Sequence, residues 1–563
     1  MSNRPESCTS HTSEIVDPDA VTSTGAVGRE SVPYRLWIGV TGHRRIADVE
    51  GVRAAIREVL RRVAAQLPGA DHTPVRFGVI SPLAEGADRL VAEAVLEHPD
   101  AVLEAALPLP VDDYLRDFGT EASREEFGTL LGRARQVTEM FPADSREHAY
   151  KQVGEYVVDR CDVLIAVWNW EHAGGTGGTE ETYRYATGRE RHELAVYVID
   201  PERPAVMEQS PPNQDWPYGW AEIDRFNKVQ IPTAALTAAV GHQRDTLLRL
   251  GLDAGLGPAN LRRSLDWSLP YLVRADLLAT MMRHRYMAAG NIVFGTTFLA
   301  IMIAAAQAIY HVPAFSLVEL AVMAFLLGAI LRARHQHLHG DWLAYRSLAE
   351  RFRIALFRTI AGLDSRRTVA RGIREVDPSR AWDDRLFEEV WAGRPRGDPG
   401  NPDPVALRTF LLTAWVDDQC RYHMRSVTKY WNRDRAVRGL IYGIVGLALA
   451  VASLHVVRSP LVHLWPTESG HSDNTENLLL LISAAAPALT MAMAGIRERR
   501  EYHRIAENSR HIRHYLVTLR PCLAAAPDLA SIQGFADQLG RHMLQEARDW
   551  YSTMRSHDFE VQI

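Results

Sequence analysis

Between residues 34 and 204, short apolar runs alternate with stretches of helical spacing. Leu36–Val40, within RLWIGVTGHRR, runs straight into Thr41-Gly42-His43, the pattern of a buried strand ending in a tight loop. VRAAIREVLRRVAAQL follows with apolar residues at helical intervals. Val75–Ile80 predicts a second strand, Ser81–Asp88 a loop, and the residues after it a helix. AVLEAALPLP predicts a third strand, stopped by Pro108 and Pro110. Cys161–Asn169 and LAVYVID predict a fourth and a fifth, with a helix starting at TEETYRYATGRE between them. Strands alternating with helices imply a parallel α/β sheet covered on both faces, and such sheets bind ligands outside the carboxyl ends of their strands.

The second half changes character. MAAGNIVFGTTFLAIMIAAAQAI, from Met287, is 23 residues without a charge, long enough to span a bilayer. Leu317–Leu331, Gly439–Val457 and Leu478–Ile496 predict three further spans, the first of these being short and carrying Glu319. Arg283, Arg285, Arg332, Arg334, Lys429, Arg433, Arg435, Arg438, Arg497, Arg499 and Arg500 flank one side of the spans. The other side has Arg458 beside Glu468, Asp473 and Glu476. The positive-inside rule then places both termini in the cytoplasm and points both hairpins outward, with Tyr310 and Trp465 at the outer headgroups and Trp342 and Trp431 just inside. A protein of the inner (cytoplasmic) membrane with four passes is the expectation.

The hairpins form an internal repeat. Tyr345–Arg353 and Tyr502–Arg510 both read Y-x-x-[LI]-A-E-x-x-R, at an offset of 157. HRYMAAGNIVFG and NRDRAVRGLIYG enter the first and third spans alike. The expected organisation is a tail at 1–33, the sheet domain at 34–204, a connector at 205–265 and a first two-span unit at 266–362. A Pro- and Gly-rich linker at 363–405, a second unit at 406–520 and a terminal helix at 521–563 complete it. The fold class is thus a parallel-sheet α/β domain joined to an all-α membrane domain. The formal charge of −6 shows no nucleic-acid footprint, and four scattered cysteines suggest reduced thiols, not a disulfide framework.

Three loops fall at the expected carboxyl ends: Thr41, Gly42, His43 and Arg44; Ser81 to Asp88, with Glu85 and Gly86; and Gly174, Gly175, Thr176, Gly177, Gly178 and Thr179, running into Glu180. Glycines let a backbone approach a ligand, and a helix start favours an anion, so a phosphate is the natural guest. His43 and Arg44 are either base or phosphate contacts or solvated loop residues; Asp88 either holds a ribose hydroxyl or caps the next helix. Lys151 is open to a phosphate or a surface role. Two small, mildly polar stripes, Thr296, Ala300, Ala304 and Gln307 in the first span and Ser483, Pro487, Thr490 and Ala494 in the fourth, suit either a pore lining or helix packing, and the Gly439/Gly443 pair suits packing. His335, His337 and His339 have no acid or cysteine beside them, so no metal or other cofactor is expected.

SPLAEGADRLVAEAV and GGTGGTEET resemble the SGLARGxD and PGGxGTxxE segments of the SLOG superfamily of Rossmann-like nucleotide-binding domains. That superfamily includes LONELY GUY-type phosphoribohydrolases, DNA-processing protein A and the sensor domains of melastatin-type channels. The twin hairpins with their Y-x-x-[LI]-A-E-x-x-R helices are similar to a tandem SLATT effector. Together these resemblances imply a nucleotide-derived ligand gating an oligomeric membrane pore in bacterial antiphage conflict. In the hydrolase loop the catalytic acid would fall on Thr182, and Glu180 and Glu181 stand one or two places early. A one-residue slip at a helix start rotates a carboxylate by about 100°, so N-glycosidase activity through Glu180 or Glu181 is the alternative, not the first expectation. A membrane-anchored sensing scaffold is the third reading.

Overall fold

The computed structural model describes residues 31–69, 72–140, 145–170, 178–188, 194–210, 216–335, 337–363, 381–395, 402–464 and 472–555. Most of the expected tail, the loop residues Gly174, Gly175, Thr176 and Gly177, and most of the 363–405 stretch lie outside these.

The amino-terminal half is a seven-stranded sheet in the order β4-β3-β2-β1-β5-β6-β7. Its strands are β1 (Tyr34–Gly42), β2 (Val75–Ser81), β3 (Val102–Leu107), β4 (Ala134–Glu139), β5 (Val163–Val167), β6 (Ala195–Ile199) and β7 (Val206–Ser210). All neighbours pair parallel except β6 and β7. The helices between them are α1 (Val49–Gln66), α2 (Ala87–Leu96), the single turn α3 (Val111–Tyr114), α4 (Glu121–Arg133), α5 (Arg146–Arg160) and α6 (Thr179–Gly188). The five expected strands are present. β4 and β7 are additional, and both are polar edge strands, ARQVTE and VMEQS, with no apolar run to mark them.

Alternation along each strand divides the core into two layers. Leu36, Ile38, Val40, Val163, Ile165 and Val167 point to one face and pack with Val52, Ile56 and Val59 of α1. Leu164, Ile80 and Val196 point to the other and pack with Val153 and Val157 of α5 and Ala186 of α6. Each such valine, leucine or isoleucine, fully buried, contributes about 1.5–3 kcal/mol.

The rest is helical: α7 (Trp220–Lys228), α8 (Thr233–Ala254), α9 (Pro258–Tyr310), α10 (Ala314–His335), α11 (Leu338–Ile360), α12 (Ala381–Ala392), α13 (Pro404–Phe410), α14 (Asp417–Leu464), α15 (Ser472–Arg500), α16 (Tyr502–Ala524) and α17 (Leu529–Arg555). A wide π turn, Leu411–Val416, joins α13 to α14. Four helices are long and apolar enough to cross a membrane, and at most 11% of each apolar window is buried within the chain. Leu317 is 73% exposed and Met491 74%, as suits a surface meant for lipid or another protein chain. At 53 residues, α9 is about 80 Å long, so an apolar span continues without a break into the polar helical body.

The repeat is visible as a repeated path: a long helix, a hairpin, a return helix, a left-handed break and a further helix. The breaks are His337 (φ 45°) and Glu501 (φ 46°). Against the shared Y-x-x-[LI]-A-E-x-x-R motif they are out of step. His337 precedes Tyr345 by eight residues and Glu501 precedes Tyr502 by one, a difference of seven, or about two helical turns.

The stretch read as a linker holds α12, which ties the two halves together. It lies across the amino ends of the parallel strands. Arg385 pairs with Asp162, immediately before β5, at 2.5 Å, and Glu389 with Arg35 of β1 at 2.6 Å and Arg135 of β4 at 3.3 Å. On its opposite side Asp383 and Asp384 take Arg351 of α11 at 3.2 and 2.6 Å. The carboxyl ends of the strands are therefore at the far edge of the sheet from α12, across β1's nine residues or about 30 Å.

Candidate functional site

The order β2-β1-β5 reverses direction between β1 and β5, so a crevice opens at their carboxyl ends. The chain delivers the first two expected loops there together. Ala87 N donates to His43 O at 3.1 Å, and His43 N donates to Val167 O at 3.0 Å. Gly86 sits at φ +80°, and a Cβ on it would lie 2.5 Å from both the His43 and the Arg44 carbonyl oxygens. A Cβ on Gly42 would meet Ala87 Cβ at 2.5 Å. The glycines therefore hold the two loops in contact, backbone against backbone.

His43 reaches across the switch point. Its Nε2 lies 2.9 Å from Asn169 Oδ1 and 3.4 Å from Asn169 N, and the tautomer decides which of the two it serves. The third loop begins just beyond; Gly174, Gly175, Thr176 and Gly177 fall outside the described residues. At its far end Gly178 O accepts from Thr182 N at 3.1 Å and Thr182 Oγ1 at 3.3 Å as α6 starts at Thr179.

Glu180 and Glu181, the weak catalytic candidates, lie on the first turn of α6 and turn to neighbours along the helices. Glu180 pairs with Arg184 at 2.5 Å, and Glu181 with Lys151 of α5 at 2.9 Å. Lys151 thus has a carboxylate for its partner. The buried Thr182, whose position corresponds to the hydrolase acid, packs towards Gly154 of α5.

The second loop builds a polar cluster. Ser81 Oγ donates to Asp88 O and accepts from Leu83 N, each at 3.0 Å. Asp88 is 6% exposed and its Oδ2 accepts from Ala84 N at 3.3 Å, so the carboxylate closes the loop that precedes its own helix. Burial lifts this carboxyl from its ordinary 3.8 to about 7, while the Ala84 N–H and the Arg44 and Arg89 charges pull the other way. Glu85 accepts from Ser123 Oγ. Arg44 is exposed and lies over the Tyr150 ring, 5.7 Å from its centroid. Tyr150 in turn donates to Asp117.

Two groups at this end escaped the sequence reading. Tyr114 is fully buried after β3, and its hydroxyl has no hydrogen-bond partner among the described residues. Burial and the adjacent Asp88 carboxylate push it well above the usual phenol range. Trp168, Trp170 and Tyr183 form a ring cluster with centroids 4.8, 5.4 and 5.6 Å apart, beside the third loop. Trp170 is 42% exposed, a surface on which a base could stack. The tryptophans of VWNW were legible as letters, but nothing in their spacing separates a ligand platform from a core cluster.

The raised Asp88 carboxyl has a measurable consequence. The folded form keeps its proton up to about pH 7, and an unfolded aspartate releases it near 3.8. The stabilisation from this group is fully present below pH 3.8 and is lost as the pH rises to about 7. Asp88→Asn is expected to remove that loss, a difference on the order of a few kcal/mol by pH 8. Melting of the sheet domain followed from pH 4 to 8 tests it, and parallel wild-type and variant profiles would exclude Asp88 as the source.

In the spans, Ala300 is 6% exposed and packs within the chain, whereas Thr296, Ala304, Gln307, Ser483 and Thr490 are half-buried. Gln307 Nε2 donates to Ser316 Oγ across the hairpin at 2.9 Å. Gly439 and Gly443 are exposed and meet no neighbour among the described residues of this chain, so they do not pack a helix pair within it. His339 stacks on Tyr286 at 4.8 Å, and no metal-binding group occurs among the described residues. No protein-family model matches the chain, and no curated protein matches it.

Proposed function

We propose that the protein is a membrane effector in which a nucleotide-derived anion, bound at the carboxyl ends of β1, β2 and β5, controls the arrangement of the apolar hairpins. The observation that carries this reading is the placement of α12. It grips the opposite end of the same strands, through Arg35 and Asp162, and grips α11, which continues from the first hairpin, through Arg351. A ligand that shifts the β1 and β5 loops has a direct mechanical route to the spans, provided it binds the two arrangements with different affinity. His43, Asn169 and Trp170 supply hydrogen bonds and a stacking face, Arg44 a positive charge, and the start of α6 its amides. The arginine flanks support a cytoplasmic sheet domain, on the side where nucleotides are.

Four spans do not enclose a wide path, so permeation requires a homo-oligomer. The SLOG-like and SLATT-like segments support a role in bacterial antiphage conflict. Purified protein in dye-loaded liposomes, challenged with ADP-ribose, NAD and cyclic nucleotides, is expected to release dye with at least one of them. Saturable binding of such a ligand without release would refute gating and leave the anchored-scaffold reading. The N-glycosidase reading predicts released base that disappears when Glu180 and Glu181 are both replaced. It has against it that both carboxylates are already ion-paired.

A further inference from the structure

A cavity of about 290 Å³ lies in the helical body where the two repeats meet, walled by α9, α11, α14, α16 and α17. It is separate from the sheet and holds an unusual share of buried polar side chains: Gln419, His423, Ser426, Ser347 and Ser509 are each between 6% and 8% exposed. Buried polar groups are ordinarily satisfied. His423 lines the cavity, and its Nδ1 is buried with no hydrogen-bond partner among the described residues. Burial holds its imidazole down to about 4, so at neutral pH it offers one donor and one acceptor.

The repeat supplies an independent comparison. The first-copy residues Arg351 and Phe352 correspond to Asn508 and Ser509 in the second. Arg351 and Phe352 are covered by α12, through Asp384 at 2.6 Å and the Phe387 ring at 5.4 Å. The second-copy positions have turned small and polar and face the cavity.

Both cationic groups lining it already have partners. Arg346 is held by Glu350 at 2.6 Å and Asp276 at 3.2 Å, and Arg283 donates to Tyr430 at 2.7 Å. With Glu546, three carboxylates face two guanidinium groups, so a phosphate is disfavoured. Tyr422, Tyr430 and Trp342 offer ring faces.

We propose that this cavity is a second ligand site, and that it takes an uncharged, flat heteroaromatic molecule with amide-type edges, a nucleoside or a pyridine carboxamide. The size is that of a small ligand pocket. The ring stacks among the aromatics, and its edges pair with His423, Gln419, Asn508 and Ser509. The site stands independently of the sheet-domain reading. Because α9 and α14 run on from this cavity into the apolar spans, occupancy changes how the two repeats pack.

Full-length protein in lipid nanodiscs, dialysed against labelled adenosine, cytidine, nicotinamide and AMP, tests it. At least one uncharged probe is expected to saturate below about 1 mM, with AMP weaker than adenosine by about tenfold. His423→Phe and Ser509→Leu should each weaken the bound probe by about tenfold or more. In wild-type protein the probe should slow amide exchange at 419–426 and 505–512. No saturable binding, affinity unchanged in both variants, or protection confined to the sheet would overturn the proposal.

Discussion

Replacing Arg385 by alanine is expected to cost about 3–5 kcal/mol and to detach α12 from the sheet. The guanidinium holds both oxygens of Asp162, at 2.5 and 2.8 Å, and lies 3.3 Å from the Tyr34 hydroxyl. The pair is buried, its side chains 13% and 4% exposed. Removing one partner leaves Asp162 without its counter-charge at the base of β5, and Asp162 also accepts Trp37 N at 2.8 Å. Arg385→Met with Asp162→Leu takes away both charges and should recover part of the loss, the remainder being about 1–3 kcal/mol for the Trp37 N–H left without its acceptor. The measurement is the first unfolding transition of the full chain, with proteolysis at 381–395 as the readout of detachment. The double variant also separates stability from signalling. It should fold, yet respond to ligand less than wild type, because α12 has lost a grip on the strands. A single variant melting with wild type would show that the ion pair does not secure the junction.

Gly86→Val should empty the ligand crevice. At φ +80° a β-branched residue pays about 1–2 kcal/mol in backbone strain. Its Cβ would also lie 2.5 Å from two carbonyl oxygens, those of His43 and Arg44. Backbone atoms hydrogen-bonded into the β1–α2 contact do not swing aside as a flexible side chain would, so overpacking adds about 1–3 kcal/mol more. The combined effect parts the first loop from the second and displaces His43 from Asn169. Nucleotide binding to the sheet domain should fall at least tenfold in affinity, and the loss should persist at temperatures where circular dichroism shows the sheet intact. Normal binding by a folded Gly86→Val chain would place the ligand elsewhere.

The parts of this molecule that were legible in the sequence are those with local causes. β1, β2, β3, β5 and β6 are central strands buried on both faces, so each reads as a continuous apolar run. The apolar helices read as long stretches almost free of charge, a local property of length and composition that needs no knowledge of their neighbours. β4 and β7 escaped because an edge strand is held by backbone pairing to one neighbour, which leaves no mark on polar side chains. α12 escaped for a deeper reason. Asp383, Asp384, Arg385, Glu388 and Glu389 look like a solvated charged face, and their partners stand up to 354 positions away. Of the site, the glycines after β1 and β2 announced themselves because a close backbone approach requires glycine. Tyr114 and Trp170 did not, since a lone aromatic carries no period.

The unequal elbows at His337 and Glu501 have a consequence for assembly. Two hairpins of like sequence hang from arms that differ by two helical turns, so one cannot stand in for the other. A closed ring of such chains would present twice as many hairpins as protomers but only the rotational order of the protomers, with long and short arms alternating around the axis. Any opening at the centre would then be scalloped, not circular, and a chain built from two first halves would have the wrong hinge at every second place.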